Sequence, residues 1–303
     1  MGEEITFSNG SVVLAGTLTV PGGGPAPGVV TVSGPGSADR HNDTHFPALH
    51  RHLVDAGFAV LSYDKRGVGG SSGDWRDTTI DGLAGDASAA LDFLRSRPGV
   101  RAEASGLLGH SEGGWVVLRA ATGRDDVPWV VTSGCPGVRP AVQDRHALAT
   151  SLRGGEPAAV AATLAAYDRV VEVGRRDLDL ASATRVLRAT PMPAIFDDYW
   201  EGVDERLWTF TKRKQDHDPV PDLLGLRCPL LAVFGGADPL VPVADSVRAY
   251  TAAACHPDRH HAASLMVHVF PHADHRVRVD DGTRLAPGYP EALTRWLRAH
   301  TDR

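Results

Sequence analysis

The stretch Leu107-Leu108-Gly109-His110-Ser111-Glu112-Gly113-Gly114 constrains this chain more than any other. An apolar run enters it, and a helix-like run, Trp115 to Ala121, leaves it. A strand that reverses sharply into a helix forces its turn residue into strained backbone geometry, and side chains beside that turn collide. Gly109 and Gly113 relieve the collision, and the Ser111 hydroxyl is pushed into the open. The following helix aims its N-terminal N–H groups at the same point, where negative charge is stabilised. G-x-S-x-G alone is short enough to arise by chance; the strand before it and the helix after it are the context that gives it meaning.

The flanking sequence builds a sheet around this turn. Ile5–Phe7 and Val12–Val20 alternate as an antiparallel hairpin does, joined at Ser8-Asn9-Gly10-Ser11. Val29–Val32, Phe58–Tyr63, Trp129–Thr132, Pro229–Phe234 and Leu265–Phe270 are apolar runs with the length of buried strands. Helical periodicity separates them at 45–56, 79–97, 243–254 and 289–300. Strands alternating with helices predict a mostly parallel central sheet covered on both faces, with ligands bound beyond the carboxyl ends of the strands. The alternation stops between about 138 and 224, where the pattern is helical throughout, clearest at 158–171 and 181–187.

Other classes of function are disfavoured by what the chain contains. A net charge of −6 argues against a nucleic-acid or anionic-membrane partner. No apolar run approaches the roughly 20 residues of a membrane helix. The acidic start Met1-Gly2-Glu3-Glu4 has no signal-peptide layout and reads as cytoplasmic. The glycine-rich loop at 64–73 lacks the spacing of a phosphate cradle. Cys135, Cys228 and Cys255 form neither a disulfide framework nor a metal-ligand pattern and read as small buried apolar residues. The scattered histidines His41, His45, His50, His52, His260 and His261 have no carboxylate or cysteine to complete a site, so neither metal nor cofactor is expected. Nothing selects an oligomeric state; a homodimer is one arrangement open to the chain.

A serine hydroxyl is a poor nucleophile near neutral pH and needs a base, which in turn needs an orienting carboxylate. Two later strand ends carry candidates: Asp238 in Gly235-Gly236-Ala237-Asp238-Pro239, and His272, Asp274 and His275 in Pro271-His272-Ala273-Asp274-His275. The order Ser, Asp, His is the order found on one particular strand–turn–helix scaffold.

With G-H-S-E-G-G at 109–114, G-G-A-D-P-L-V-P at 235–242 and P-H-A-D-H at 271–275, nearly the whole chain resembles the α/β-hydrolase superfamily. The loops at 64–69 and 33–40 resemble those of bacterial serine esterases within it. The resemblance implies an α/β-hydrolase fold, its core formed by 1–137 and 225–303, with a helical lid inserted at 138–224. It implies Ser111 as nucleophile, His275 as general base and acid, and Asp238 as orienting carboxylate, with His272 at the rim. The product is an ester-cleaving enzyme working through an acyl-enzyme on a small or medium carboxylic ester. Acyl transfer or thioester cleavage would use the same triad.

An oxyanion hole needs two N–H donors: the backbone of Glu112 is one, and the loop Ser33–Ser37 should supply the other. Pro35 stands where the donor usually is and has no N–H. Gly36 or Gly34 must then donate, or the hole is incomplete and the chain is a silent binding protein on the same fold. The Glu112 side chain reads as a helix-capping carboxylate. Asp39 and Arg40 are expected to pair and hold the loop, and Lys212-Arg213-Lys214 to form a solvated face. Tyr199, Trp200 and Trp208 are the candidates for a substrate pocket under the lid.

Overall fold

The computed structural model describes residues 2–302, leaving out the side chains of residues 197–199. The chain opens with the expected hairpin, β1 (Glu3–Asn9) and β2 (Val12–Thr19). β3 (Ala26–Val32), α1 (Phe46–Asp55), β4 (Ala59–Tyr63), α2 (Ile80–Arg95), β5 (Val100–His110), α3 (Glu112–Ala121) and β6 (Val130–Ser133) follow. Six helices then succeed one another: α4 (Pro140–Ser151), α5 (Pro157–Arg175), α6 (Leu180–Arg188), α7 (Ile195–Glu201), α8 (Glu205–Lys214) and α9 (Val220–Gly225). The alternation resumes with β7 (Leu230–Gly235), α10 (Val243–Ala254), β8 (Leu265–Phe270) and, at the end, α11 (Tyr289–Thr301). A small ribbon, Arg278–Val279 against Arg284–Leu285, lies between β8 and α11. Its two-residue strands carry no period that a sequence could show.

Among the described residues eight strands form one sheet in the order β1-β2-β4-β3-β5-β6-β7-β8. Pairing is antiparallel across β1, β2 and β4 and parallel from β4 to β8. This is the α/β-hydrolase fold. The central strands are buried on both faces, which is why they read as unbroken apolar runs. One face packs Ile80, Leu91, Trp115, Leu118 and Tyr250 of α2, α3 and α10 over the sheet. The other packs Leu49 and Leu53 of α1 against Trp296 and Leu297 of α11. Both faces are therefore occupied, and the loops at the carboxyl ends of the parallel strands are left for chemistry.

The helices between β6 and β7 have a small core of their own: Ala166, Val170, Val173, Ala183, Leu187, Phe196 and Trp208. Among the described residues no helix is long and apolar enough to cross a membrane. Cys135 and Cys228 are buried, but Cys255 is exposed because it stands just past the last turn of α10.

Candidate active site

Ser111 sits between β5 and α3 at φ +54°, ψ −121°. This conformation is strained for any residue with a Cβ and persists only where the surroundings over-determine it. They do so here. The Ser111 N–H donates to the Ser133 carbonyl at the end of β6 (2.9 Å), and the Gly114 N–H donates back to the Ser111 carbonyl (2.9 Å). A Cβ on Gly109 would lie 2.1 Å from the Gly113 carbonyl oxygen, and one on Gly113 would lie 2.3 Å from that of Val32. The two glycines are there because backbones pass too close for any side chain.

Asp238 lies in the turn after β7. Its Oδ1 accepts the N–H groups of Leu240 (2.8 Å) and Val241 (3.0 Å), which fixes the plane of the carboxylate. Its Oδ2 lies 2.7 Å from His275 Nδ1, and the Asp238 side chain is wholly shielded from solvent. His275 reaches the carboxylate over Gly134, whose own φ is +60°; a Cβ there would sit 2.8 Å from the His275 carbonyl oxygen and 3.2 Å from its ring. Ser111 and His275 line one cavity of about 1310 Å³. His272, at φ +63°, is exposed and does not line it. The Asp274 carboxylate accepts the N–H groups of Arg276 and Arg278 (2.9 and 2.8 Å) and so binds its own loop.

Behind His275 stand two more imidazoles. His110 lies 4.8 Å from its ring and His45 lies 4.3 Å from His110, centroid to centroid. Burial holds both well below the usual histidine range, so they are neutral.

The loop after β3 corrects two expectations. The Gly34 N–H already donates to Asn42 Oδ1 at 3.1 Å, so Gly34 is removed as an oxyanion donor. Gly36 remains, at φ +73° on the cavity wall. Arg40 does not pair with Asp39: its guanidinium grips Asp64 (2.8 and 3.1 Å), while Asp39 accepts the His41 N–H. Asp64 is buried at the end of β4, and a buried carboxylate needs a charged partner more than an exposed one does.

The Glu112 side chain does not cap its helix. It is buried and takes Lys65 Nζ at 2.9 Å and Lys214 Nζ at 2.8 Å. Burial opposes the charge, but the two ammonium groups outweigh it and hold the Glu112 carboxyl down at about 2. Lys212-Arg213-Lys214 is accordingly not a solvated face: only Arg213 is exposed, and Lys212 donates to the Leu178 carbonyl at 3.1 Å. Lys65 carries a sequence signal that the motifs do not use, an ammonium two residues past the end of a wholly buried strand. Lys214 and Gly134 have no local signal, since each acts on a residue far away in the chain; Asn42 acts on Gly34, eight residues back, through a loop with no readable period.

The aromatic candidates fall elsewhere. Trp208 is buried, with its Nε1 donating to the Leu178 carbonyl at 2.8 Å, and Trp200 lies 6.0 Å from it, ring to ring. Neither lines the Ser111 cavity; the segment contributes Gln143, Asp144 and Lys214 to it instead. Both tryptophans pack in the helices' own core, Trp208 within it and Trp200 against it. The Tyr199 side chain lies outside the described residues. Trp208 does line a second, apolar cavity of about 280 Å³ with Leu148, Val170 and Phe196, and Asp144 and Lys214 border both cavities. Among the described residues no three His, Cys, Asp or Glu are grouped as metal ligands.

Comparison with known proteins agrees with this architecture. A family model described as the alpha/beta hydrolase family matches residues 18–287. The human mitochondrial palmitoyl-protein thioesterase ABHD10 is 24% identical over 255 residues, 84% of this chain and 69% of that protein. The esterase Pf2001 of Pyrococcus furiosus superposes with a TM-score of 0.61 at 17% identity, over 99% of this chain and 93% of its own. Est1E of Butyrivibrio proteoclasticus, solved with ferulic acid bound, superposes with a TM-score of 0.61 at 17% identity, over 97% of this chain and 96% of its own. With the family matched over most of its length and the sheet in the matching order, this chain belongs to the alpha/beta hydrolase family and is a hydrolase.

Proposed function

We propose that this hydrolase cleaves a small or medium carboxylic ester through an acyl-enzyme, with Ser111 as nucleophile, His275 as base and Asp238 as the orienting carboxylate. One observation carries the reading: the 2.7 Å contact from His275 Nδ1 to the buried Asp238 carboxylate, made on the wall of the cavity that the strained Ser111 also lines. That contact holds the proton on Nδ1 and leaves Nε2 as the acceptor for the Ser111 hydroxyl proton. Ser111 Oγ then attacks the ester carbonyl, and His275 passes the proton to the leaving alcohol. Water, deprotonated in turn by His275, hydrolyses the acyl group from Ser111. Negative charge on the carbonyl oxygen is met by the Glu112 N–H, which has no acceptor within its helix, and by the Gly36 N–H. One such donor is worth about 3 kcal/mol of transition-state stabilisation.

The helices over 138–224 act as a lid, and the apolar cavity beside Lys214 takes the acyl chain. That reading favours a hydrocarbon chain of limited length, because the cavity holds only about 280 Å³. Thioester cleavage is the second reading, supported by the named activity of ABHD10 and by the identical acyl-enzyme it would need.

A fluorophosphonate probe tests the nucleophile. Labelling is expected at Ser111 and lost in Ser111→Ala and in His275→Ala. A folded protein that does not label is a binding protein on a hydrolase fold. Turnover of p-nitrophenyl esters against acyl thioesters of matched chain length then separates the two hydrolytic readings.

A further inference from the structure

The loop that faces Ser111 after β3 is poor in free donors. Pro35 has no N–H, and the Gly34 N–H is taken by Asn42 Oδ1 at 3.1 Å. Within 34–36, and among the described residues, only the Gly36 N–H is left for a ligand.

The side chain that takes the Gly34 N–H has donors of its own. A primary amide carries one acceptor oxygen and an NH2 group with two donors. The Gly34 N–H must meet an oxygen, so the amide has one orientation: Oδ1 lies on Gly34 and Nδ2 is turned away from it. Asn42 is only 8% exposed, and it lines the Ser111 cavity. Among the described residues its Nδ2 has no acceptor. Unlike the orphaned nitrogens of His45, that Nδ2 is not sealed off, so it opens onto the cavity. The backbone of Asn42 is satisfied: its N–H donates to the Asp39 carbonyl (3.0 Å), and its carbonyl accepts the His45 N–H (3.1 Å). Asn42 and Asp43 both have positive φ, +46° and +58°, a conformation that Asn and Asp tolerate better than other side chains do. Asn42 is buried there, while Asp43 stays exposed and pairs with Arg276 at 2.7 Å. Consecutive residues held in this sparsely populated region are the kind of local strain that collects at working sites.

The amide stands close to the nucleophile. A Cβ built on Gly34 would lie 3.5 Å from Asn42 Oδ1 and 3.6 Å from Ser111 Cβ. Gly34 is thus the residue that separates the amide from the serine. The hydrogen bond accepted by Oδ1 polarises the amide and makes its N–H groups better donors. A donor fixed in this way needs no reorganisation when charge develops beside it.

We propose that Asn42 is a catalytic residue whose Nδ2–H donates to the oxyanion, in the role that Pro35 leaves open. The proposal rests on the Ser111 reading. The loop exchanges a backbone donor for a side-chain donor: the Gly34 N–H holds the amide, and the amide meets the charge.

The test compares a neutral p-nitrophenyl ester with an alkyl boronic acid. Ser111 Oγ adds to the trigonal boron and passes its proton to His275, leaving a tetrahedral boronate anion whose oxygen occupies the oxyanion position. Asn42→Asp keeps an oxygen for the Gly34 N–H and accepts a positive φ, but it replaces the donor by an anionic acceptor. It should lower kcat and boronate affinity together by roughly 100- to 1000-fold, the scale of one lost oxyanion donor. Asn42→Ala is the neutral control and should lose roughly 100-fold in both. KM for the ester should move little, a split that general loosening of the fold would not produce. Either variant, folded by circular dichroism, that stays within about threefold of the parent in kcat and boronate affinity overturns the proposal. An intact Asn42→Asp beside a crippled Asn42→Ala would make Asn42 a prop for Gly34 alone. Where the variants do not fold, the unaltered protein carries the test. Its Asn42 side-chain amide resonances should shift when the boronate is added, and resonances that stay in place overturn the proposal. Ser111→Ala keeps the two ideas apart: an active Ser111→Ala sinks the triad, whereas an inactive one beside normal Asn42 variants sinks only the Asn42 donor.

Discussion

The sheet and the helical segment between β6 and β7 are held together by different physics. In the sheet, strands such as β4, β6 and β7 are buried along their whole length, and tertiary packing over both faces makes the site rigid. That rigidity is what lets Ser111 keep a strained backbone. The helical segment has a core of only a few side chains. Leu223 of α9 joins the core under the sheet, and the other helices meet the rest of the molecule through polar contacts: Arg76 to Asp204 (2.7 Å), Arg206 to Asp74 (3.0 Å) and the buried Lys214 to Glu112 pair (2.8 Å). Trp75 against Phe210, edge to face at 5.0 Å, is an aromatic addition. The strained Ser111 and the Asp238–His275 pair belong to the region fastened by burial; Gln143, Asp144 and Lys214, which reach the same cavity, belong to the segment fastened in part by charge.

The comparison breaks first at the dyad. Asp238→Asn keeps the volume but loses the acceptor for the His275 Nδ1 proton. Steady-state kinetics should show kcat down by about 10⁴-fold with an unchanged melting temperature. A loss confined to KM would place the chemistry elsewhere.

Next comes the segment's own core. Trp208→Ala removes the largest side chain there and should cost about 3–5 kcal/mol. The two-region picture expects that cost to fall locally. Limited proteolysis should cut between residues 138 and 224 while the sheet keeps its thermal transition. A single lowered transition for the whole protein would show one cooperative unit instead.

Acid should attack the two regions in sequence. Burial lowers His50 from 6.5 to about 4 and holds His45 and His110 well below the usual range, all in the sheet half. A depressed histidine pKa means that the unfolded chain takes protons the native state refuses. Stability is therefore full above pH 6.5 and falls as the pH drops towards 4, by up to about 3 kcal/mol for His50 alone. Glu112 is depressed from 4.5 to about 2, so its contribution is present above pH 4.5 and is lost between there and pH 2. Thermal melts at half-unit steps should show a decline beginning near pH 6.5 and a further loss of Lys214 docking below pH 4.5. A flat profile from 7 to 5 would contradict the neutral imidazole column.

The smallest effect is ionic. Asp204→Asn removes an exposed partner of Arg76 and should cost under about 1 kcal/mol. Proteolytic sensitivity of the helical segment should rise with salt, while the sheet's melting temperature changes little.

Much of this architecture was legible before any coordinates. β-Branched, unbroken apolar runs marked the parallel strands, and their spacing marked the alternation with helices. Both are local properties, repeated over enough residues to be read. Ser111, Asp238 and His275 stood out because turns and short motifs are local as well, and the family order tied them to one another. The residues that were misread share a different property. Gly34 looked available as a donor until Asn42, eight residues on, claimed its N–H. Arg40 turned from its neighbour to Asp64. Trp208 looked like a pocket wall for Ser111 and proved to be the keystone of a separate small core.

Local chemistry along the chain determined the alternating sheet, the elbow at Ser111 and the turns that carry Asp238 and His275, because each follows from covalent geometry and from the period at which apolar residues recur. The tertiary structure alone decided who partners whom. Only folding brings the ammoniums of Lys65 and Lys214, which lie far away in sequence, within 3 Å of the Glu112 carboxylate. Charge pairing depends on distance through space and on exclusion of water, and neither quantity exists until distant segments have packed.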